Sequence, residues 1–308
     1  MQSKTIAKSI HSKMDDWLST IENDALKKSL RKDIIVTGGC ITSMFLNETV
    51  NDYDVYIRTR DTLKSLVCYY TSMISSGCLI LDGINKDDIT KDLEEEYGKP
   101  ITDISNCYAS AVRNLKYDQI RLFFDGSPGY KADIKTATDN DGKVYTPKYQ
   151  VAFLSPNAIS LTDDLQIVIR FWGEPNKVHE SYDFVHATNY WTYDEGLVTN
   201  KDALECILTK QLKYKGSHYP VTSILRFKKF TKRNWNIGAG EALKIVFQCS
   251  QLDLTDIDVL EEQLIGVDVA YFAKLIEILR SIPNSKSMDY GYLCTIIDKV
   301  FNSSEHDE

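Results

Sequence analysis

Apolar residues recur at helical spacing from the start of the chain. Ile6, Ile10, Met14, Leu18 and Ile21 fall on one stripe, which predicts a helix over residues 3–31. The period then changes. DIIVT (33–37) is a short β-branched run closed by Gly38-Gly39, and it predicts a strand. CITSMFLN (40–47) returns to a helical pattern. DYDVYI (52–57) alternates, with Tyr53, Val55 and Ile57 on one face and Asp52, Asp54 and Tyr56 on the other. Residues 61–75 predict a further helix with Asp61 as its N-cap. The acidic stretch 84–100 predicts a solvated insertion or a short surface helix. Residues 105–170 read as strands: CYASAV (107–112), QIRLFF (119–124), QVAFL (150–154), AISLT (158–162) and LQIVIRF (165–171), separated by Gly-, Pro- and Asp-bearing turns. GEPNKVHES (173–181) predicts a short helix with Pro175 in its first turn, and YDFVHAT (182–188) a strand.

Past residue 200 the pattern is helical throughout. The segments are 201–214, 220–233, 239–252, 256–264, 269–282 and 292–301. The patterning therefore predicts an α+β fold. A mixed β-sheet core with flanking helices occupies 1–199, and an all-α domain occupies 200–308.

A length of 308 residues suits one large domain or two ordinary ones. The net charge of −8 excludes a global basic field that would draw in nucleic acid, so any such partner needs a local patch. The cysteines, at 40, 68, 78, 107, 206, 249 and 294, are odd in number and include no CxxC pair. That argues against a zinc site or a disulfide framework and for a reducing cytoplasm. Lys4, Lys8 and Lys13 interrupt any leader-like apolar run, and no stretch of about 18 apolar residues exists, so no membrane partner is expected.

The candidate chemistry sits in VTGGCITSMFLNETVNDYDV (36–55). A strand, a glycine pair and a helix present backbone N–H groups at a helix N-terminus, and glycine lets an anion come close. Asp52 and Asp54, two residues apart on one strand face, repel each other unless a cation lies between them. Hard carboxylate ligands suit Mg²⁺, which commonly bridges to substrate phosphates. A glycine pair alone is an ordinary turn, and an Asp-x-Asp pair alone an ordinary solvated face. The order strand, Gly-Gly, helix, strand, Asp-x-Asp is the specific feature.

In that order the segment resembles the DNA polymerase β-like nucleotidyltransferase superfamily. Its signature is an apolar residue, Gly, Gly or Ser, about ten residues, then Asp-apolar-Asp/Glu-apolar. Here Thr37 stands where the apolar residue is usual, Gly38-Gly39 follow, and Asp52-Tyr53-Asp54-Val55 come after twelve intervening residues. The resemblance implies that Asp52 and Asp54 hold Mg²⁺ or Mn²⁺ and that Gly38 and Gly39 receive the triphosphate of an NTP such as ATP. Ser43, one turn past Gly39, adds a hydroxyl or back-bonds within its helix. A third carboxylate is also implied. Asp183, in SYDFVHAT, follows a strand and a short helix as the superfamily topology has it, and resembles the FDF-type segment of viral and phage members. Asp133, in YKADIKT, is the alternative.

From Cys206 to Gly240 the chain carries eight Lys/Arg and no Asp or Glu. ILRFKKFTKRNW resembles the R-x-x-K-aromatic helix that follows the catalytic core in related enzymes. That implies nucleotide or acceptor contacts for Lys210, Lys213, Arg226 and Lys229; a cationic solvated face is the plainer reading. Much of 30–260 resembles phage-encoded nucleotidyltransferases, which points to the cytoplasm of a bacterial or phage-infected cell. The expected activity is transfer of an NMP to an acceptor hydroxyl, with RNA such as a tRNA 3′ end, a protein or a small molecule as acceptor. The alternative is a catalytically silent nucleotide- or RNA-binding regulator.

Overall fold

The computed structural model describes residues 1–264 except 75–76, 105, 126, 128, 140 and 255, together with positions 291, 294–295 and 297–298. The helix expected over 269–282 lies outside the described residues, as does most of that over 292–301. The chain forms two compact units. The first comprises Met1–Glu180 and Ala187–Leu204, and the second Ser181–His186 and Glu205–Glu308.

The first unit opens with α1 (Ser3–Ser19) and α2 (Asp24–Asp33) rather than one long helix. Asn23 sets the break by accepting from Leu26 N (3.0 Å), a side-chain cap that starts a new helix. The stripe Ile6, Ile10, Met14 is fully buried with Trp17, and each such side chain contributes on the order of 1.5–3 kcal/mol. Next come β1 (Ile34–Thr37), α3 (Gly39–Leu46), β2 (Tyr53–Ile57) and α4 (Arg60–Thr71). Thr59, not Asp61, holds the N-cap position of α4; Asp61 sits in the first turn. The Thr59 hydroxyl donates to the Asp33 carboxylate.

The excursion from 78 to 124 runs β3 (Cys78–Asp82), α5 (Lys86–Tyr97), α6 (Cys107–Arg113) and β4 (Ile120–Phe124). It carries its own apolar cluster, built on Leu81, Leu93, Ile104, Ala109, Val112 and Leu115. CYASAV is thus a helix, not a strand. Asn106 caps it by accepting from Ala109 N (2.6 Å), and Ala109 and Val112, three apart, turn one face inward. β3, which the patterning did not predict, pairs antiparallel with β4.

The remaining elements of this unit are β5 (Tyr130–Lys131), β6 (Ala137–Thr138), β7 (Val144–Tyr145), β8 (Val151–Leu154), β9 (Ala158–Leu161), β10 (Leu165–Trp172), α7 (Pro175–Glu180), β11 (Tyr190–Thr192) and β12 (Gly196–Val198). Eight strands form one mixed sheet in the order β12-β11-β1-β2-β10-β9-β8-β5. Every pair is antiparallel except β2 with β10. β6 and β7 form a separate ribbon.

α8 (Lys201–Thr209) passes into the second unit, which continues with β13 (Gln211–Leu212), α9 (Pro220–Lys232), β14 (Asn236–Ile237), α10 (Ala239–Cys249) and α11 (Ile257–Gln263). It is helical apart from a short parallel pair, β13 with β14, so an all-α description does not hold for the described residues. Residues 182–188 are not a strand. Phe184 bridges to Tyr214, Val185 N donates to Lys213 O (3.0 Å), and Val185–Ala187 is a 3₁₀ turn. The strand comes later, as β11 on β1.

Candidate metal and phosphate site

The turn at the end of β1 is fixed from below. Thr37 is fully buried, and its hydroxyl lies 2.8 Å from both Asn189 O and His179 Nε2. A hydroxyl has one proton to give. With Asn189 O taking it, His179 Nε2 is the donor to Thr37 Oγ1. The threonine that departs from the superfamily pattern is therefore the residue that ties β1 to α7 and to the approach to β11. His179 is a contributor the sequence did not reveal, because its partner lies 142 residues away.

Gly38 follows with φ 94°, ψ −148°, a region that is essentially glycine-only, and its N–H donates to Ala187 O (3.2 Å). Gly39 begins α3, and a Cβ built there meets nothing within 4 Å. Backbone N–H groups of a first helical turn lack intrahelical partners and carry partial positive charge, so an anion can approach them across this open side. Ser43 is buried in the same helix, four residues on. Gly38→Ala is expected to cost about 1–3 kcal/mol, read as a lower midpoint in urea denaturation; Gly39→Ala, in open space, is expected to cost less.

β2 brings the carboxylates to this turn. Its register with β1 sets Asp54 opposite Thr37, and on the other side Asp54 faces Gln166 of β10. Asp54 is half-buried, and Asp52, one residue before the strand, is exposed. The buried Cys40 thiol, second residue of α3, senses both. Burial pushes its pKa up, and the charges of Asp54 and then Asp52 push it further. Gly38, Gly39, Asp52 and Asp54 thus gather at the head of α3.

The other predicted residues lie elsewhere. Asp133 is exposed and irregular, just past edge strand β5. Strands β10, β9 and β8 separate β5 from β2, four inter-strand steps or roughly 19 Å. Asp183 belongs to the second unit, sits in a bend rather than at the head of a strand, is nearly buried, and pairs with Arg226 Nη1 at 2.8 Å. Lys215 N donates to its carbonyl (2.8 Å). Lys210, in left-handed conformation, donates from Nζ to Arg233 O (3.3 Å), while Lys213 and Lys229 are exposed. His186 is packed against Phe230 and Trp235 at ring distances of 4.5 and 4.6 Å, and burial pulls its pKa down to about 4, so it is neutral at pH 7. Among the described residues, no three His, Cys, Asp or Glu side chains gather to hold a metal ion, and no helix is long and apolar enough to cross a membrane.

Residues 8–210 match the Gabija anti-defense 2 family. The chain belongs to that family. A curated relative, Gabija anti-defense 2 of Bacillus phage SPbetaL7, is 21% identical over 280 residues, covering 90% of this chain and 50% of the relative. The chain thus spans about half the length of the curated relative it matches. Solved structures similar to it include the Thermotoga maritima CCA-adding enzyme complexed with tRNA, with TM-score 0.37, 12% identity, 87% of this chain and 53% of the other. The Bacillus stearothermophilus CCA-adding enzyme in complex with CTP has TM-score 0.37 and 9% identity, over 85% of this chain and 51% of the other. Likeness of this degree says nothing of activity.

Proposed function

We propose that this phage-type protein is a metal-dependent nucleotidyltransferase that acts in countering the Gabija defence. The observation that carries the chemistry is the β1–β2 register, which sets Asp54 against Thr37 and so brings the carboxylate strand to the glycine turn. The membership and the relative's name carry the counter-defence role.

Two carboxylates fit Mg²⁺ or Mn²⁺, because such ions are commonly held by one or two carboxylates and complete their shells with water and substrate phosphate. A cation held by Asp52 and Asp54 supplies positive charge where phosphate charge develops. The chain's own residues do the rest. The first-turn amides of α3 receive the triphosphate, Gly39 leaves room for it, and Thr37 with His179 keeps the turn in place. The acceptor oxygen bonds to the α-phosphorus, the bond to the α–β bridging oxygen breaks, pyrophosphate leaves with the electron pair, and the acceptor's proton is released. RNA, including a tRNA 3′ end, is the favoured acceptor class, supported by the lysines of α9 and its surroundings; protein and small-molecule hydroxyls are the other acceptors to try.

A second reading, nucleotide or RNA binding without turnover, is favoured by one observation: Asp183 already has a guanidinium partner. Incubation with Mg²⁺ and each α-labelled NTP, with tRNA, total RNA or protein as acceptor, separates the two. Label transfer with release of pyrophosphate is expected. Binding of NTP with no transfer to any acceptor would favour the silent reading. Asp183→Asn tests the third carboxylate. If Asp183 serves transfer, the activity of the remaining folded protein drops steeply, well beyond what the loss of the Arg226 pair costs in stability. If it serves only Arg226, thermal stability falls while transfer persists.

A further inference from the structure

The first unit carries a second polar recess, on the face of β2 turned away from Asp52 and Asp54. One face of α1 and the β9–β10 hairpin line it, giving a cavity of about 680 Å³, a size ordinary for small-molecule sites. Lys8, Lys13 and Lys148 supply positive charge, and Thr5, Ser9 and Ser12 supply hydroxyls from the same helix face.

Lys13 is held in place. Its Nζ donates to the carbonyl of Asp163 and lies 5.1 Å from the Tyr53 ring centre and 5.3 Å from that of Tyr149. A carbonyl and two ring faces orient an ammonium without neutralising it. Lys8 is exposed and takes part in no ion pair among the described residues. The two carboxylates in the recess are both engaged: Asp16 by Lys148 (2.8 Å) and the Tyr149 hydroxyl (3.1 Å), and Asp163 by Tyr149 N (3.3 Å). Three lysines thus stand against two carboxylates in the recess, a net positive charge; Lys13 shares the Asp16 charge with Lys148, and Lys8 lines the cavity with hydroxyl donors beside it. The backbone around the recess is also in conformations that cost energy: Tyr149, Asp163 and Asp164 all have positive φ. At Asp163-Asp164 this serves the three-residue hairpin loop 162–164, whereas Tyr149 is a bulky residue in a turn just before β8.

We infer that this recess is an anion site for a phosphorylated small molecule, distinct from the metal and phosphate site at the head of α3. Lys8 and Lys13 would meet the phosphate oxygens, with Ser9 and Ser12 donating to them. The inference does not rest on nucleotidyl transfer, since neither Asp52 nor Asp54 takes part.

Equilibrium dialysis of the Asp52→Asn/Asp54→Asn chain in EDTA, with labelled pyrophosphate and labelled ATP as probes, tests it. One saturable equivalent is expected, weakened about tenfold in Lys8→Glu by the reversed charge and lost in Ser12→Trp, which fills the recess. Both positions are on the exposed side of α1, and unchanged thermal melting confirms that each variant is folded. Binding of pyrophosphate as tight as ATP assigns recognition to phosphate alone; tighter ATP binding adds the tyrosine rings. Absence of saturable binding of either probe, or binding untouched by both groove variants, overturns the site. Failure of NTP transfer leaves this result unaffected, because the protein assayed lacks both carboxylates.

Discussion

Asp54→Asn is expected to reduce nucleotidyl transfer about a thousandfold, a barrier change of roughly 4 kcal/mol. Asparagine keeps the size of the side chain and an oxygen in place, so β2 should still pair with β1 through Ile34–Ile57, Ile35–Tyr56 and Val36–Val55. What is lost is charge. A neutral amide binds a hard divalent cation weakly, and under the proposed function phosphates bound at the head of α3 would then lack their counter-charge. Asp52→Asn should act in the same direction. Because Asp52 is exposed and lies just before the strand, its own contribution to folding is small. The measurement is the initial rate of label transfer from α-labelled NTP to the acceptor at saturating Mg²⁺, with urea midpoints taken on the same preparations. Full activity in both variants, with folding intact, would remove the site from consideration.

Trp17→Ala should be the most damaging single change to folding, costing about 3–5 kcal/mol against a total typically of about 5–15 kcal/mol. Trp17 is fully buried on α1, and its Nε1–H donates to the Tyr70 hydroxyl on α4 at 2.8 Å. Truncation opens a cavity among Ile6, Ile10 and Met14 and strips the Tyr70 hydroxyl, itself only 3% exposed, of its donor. Trp17→Phe separates the two losses. It retains most of the volume and removes the hydrogen bond, so it should cost about 1–3 kcal/mol. Urea unfolding followed by circular dichroism gives both values; equal midpoints for Trp17→Ala and the parent chain would contradict the packing described.

Much of the first unit could be read from the chain because its determinants are local. The β-branched run Ile34–Val36, the glycine pair, the stripe on α1 and the alternation through Tyr53–Ile57 each announce their element within a few residues. The misreadings share a different cause. CYASAV has strand-like composition, and a single asparagine cap with a three-residue burial step makes it a helix. YDFVHAT alternates like a strand, but its partners are Lys213, Tyr214 and Arg226, the last of them 43 positions downstream. For the candidate site, the residues at the head of α3 were visible as a motif. The hydrogen bonds that hold the turn, from Thr37 to His179 and Asn189, were not, since nothing near Thr37 in sequence names them. The separation of Asp133 from β2 likewise depends on strand order, which a sequence motif does not contain.

The detour of Ser181–His186 into the second unit bears on how such proteins can be recombined. A cut at 199/200 strands Phe184 without Tyr214 and Asp183 without Arg226, so neither half is self-contained. Any exchange of the second unit between related chains must carry along a six-residue segment encoded upstream of Ala187–Leu204. The gene cannot be split into two interchangeable cassettes at one point. Variation in the second unit is therefore constrained to travel with compensating variation around Asp183, and the two should be inherited together.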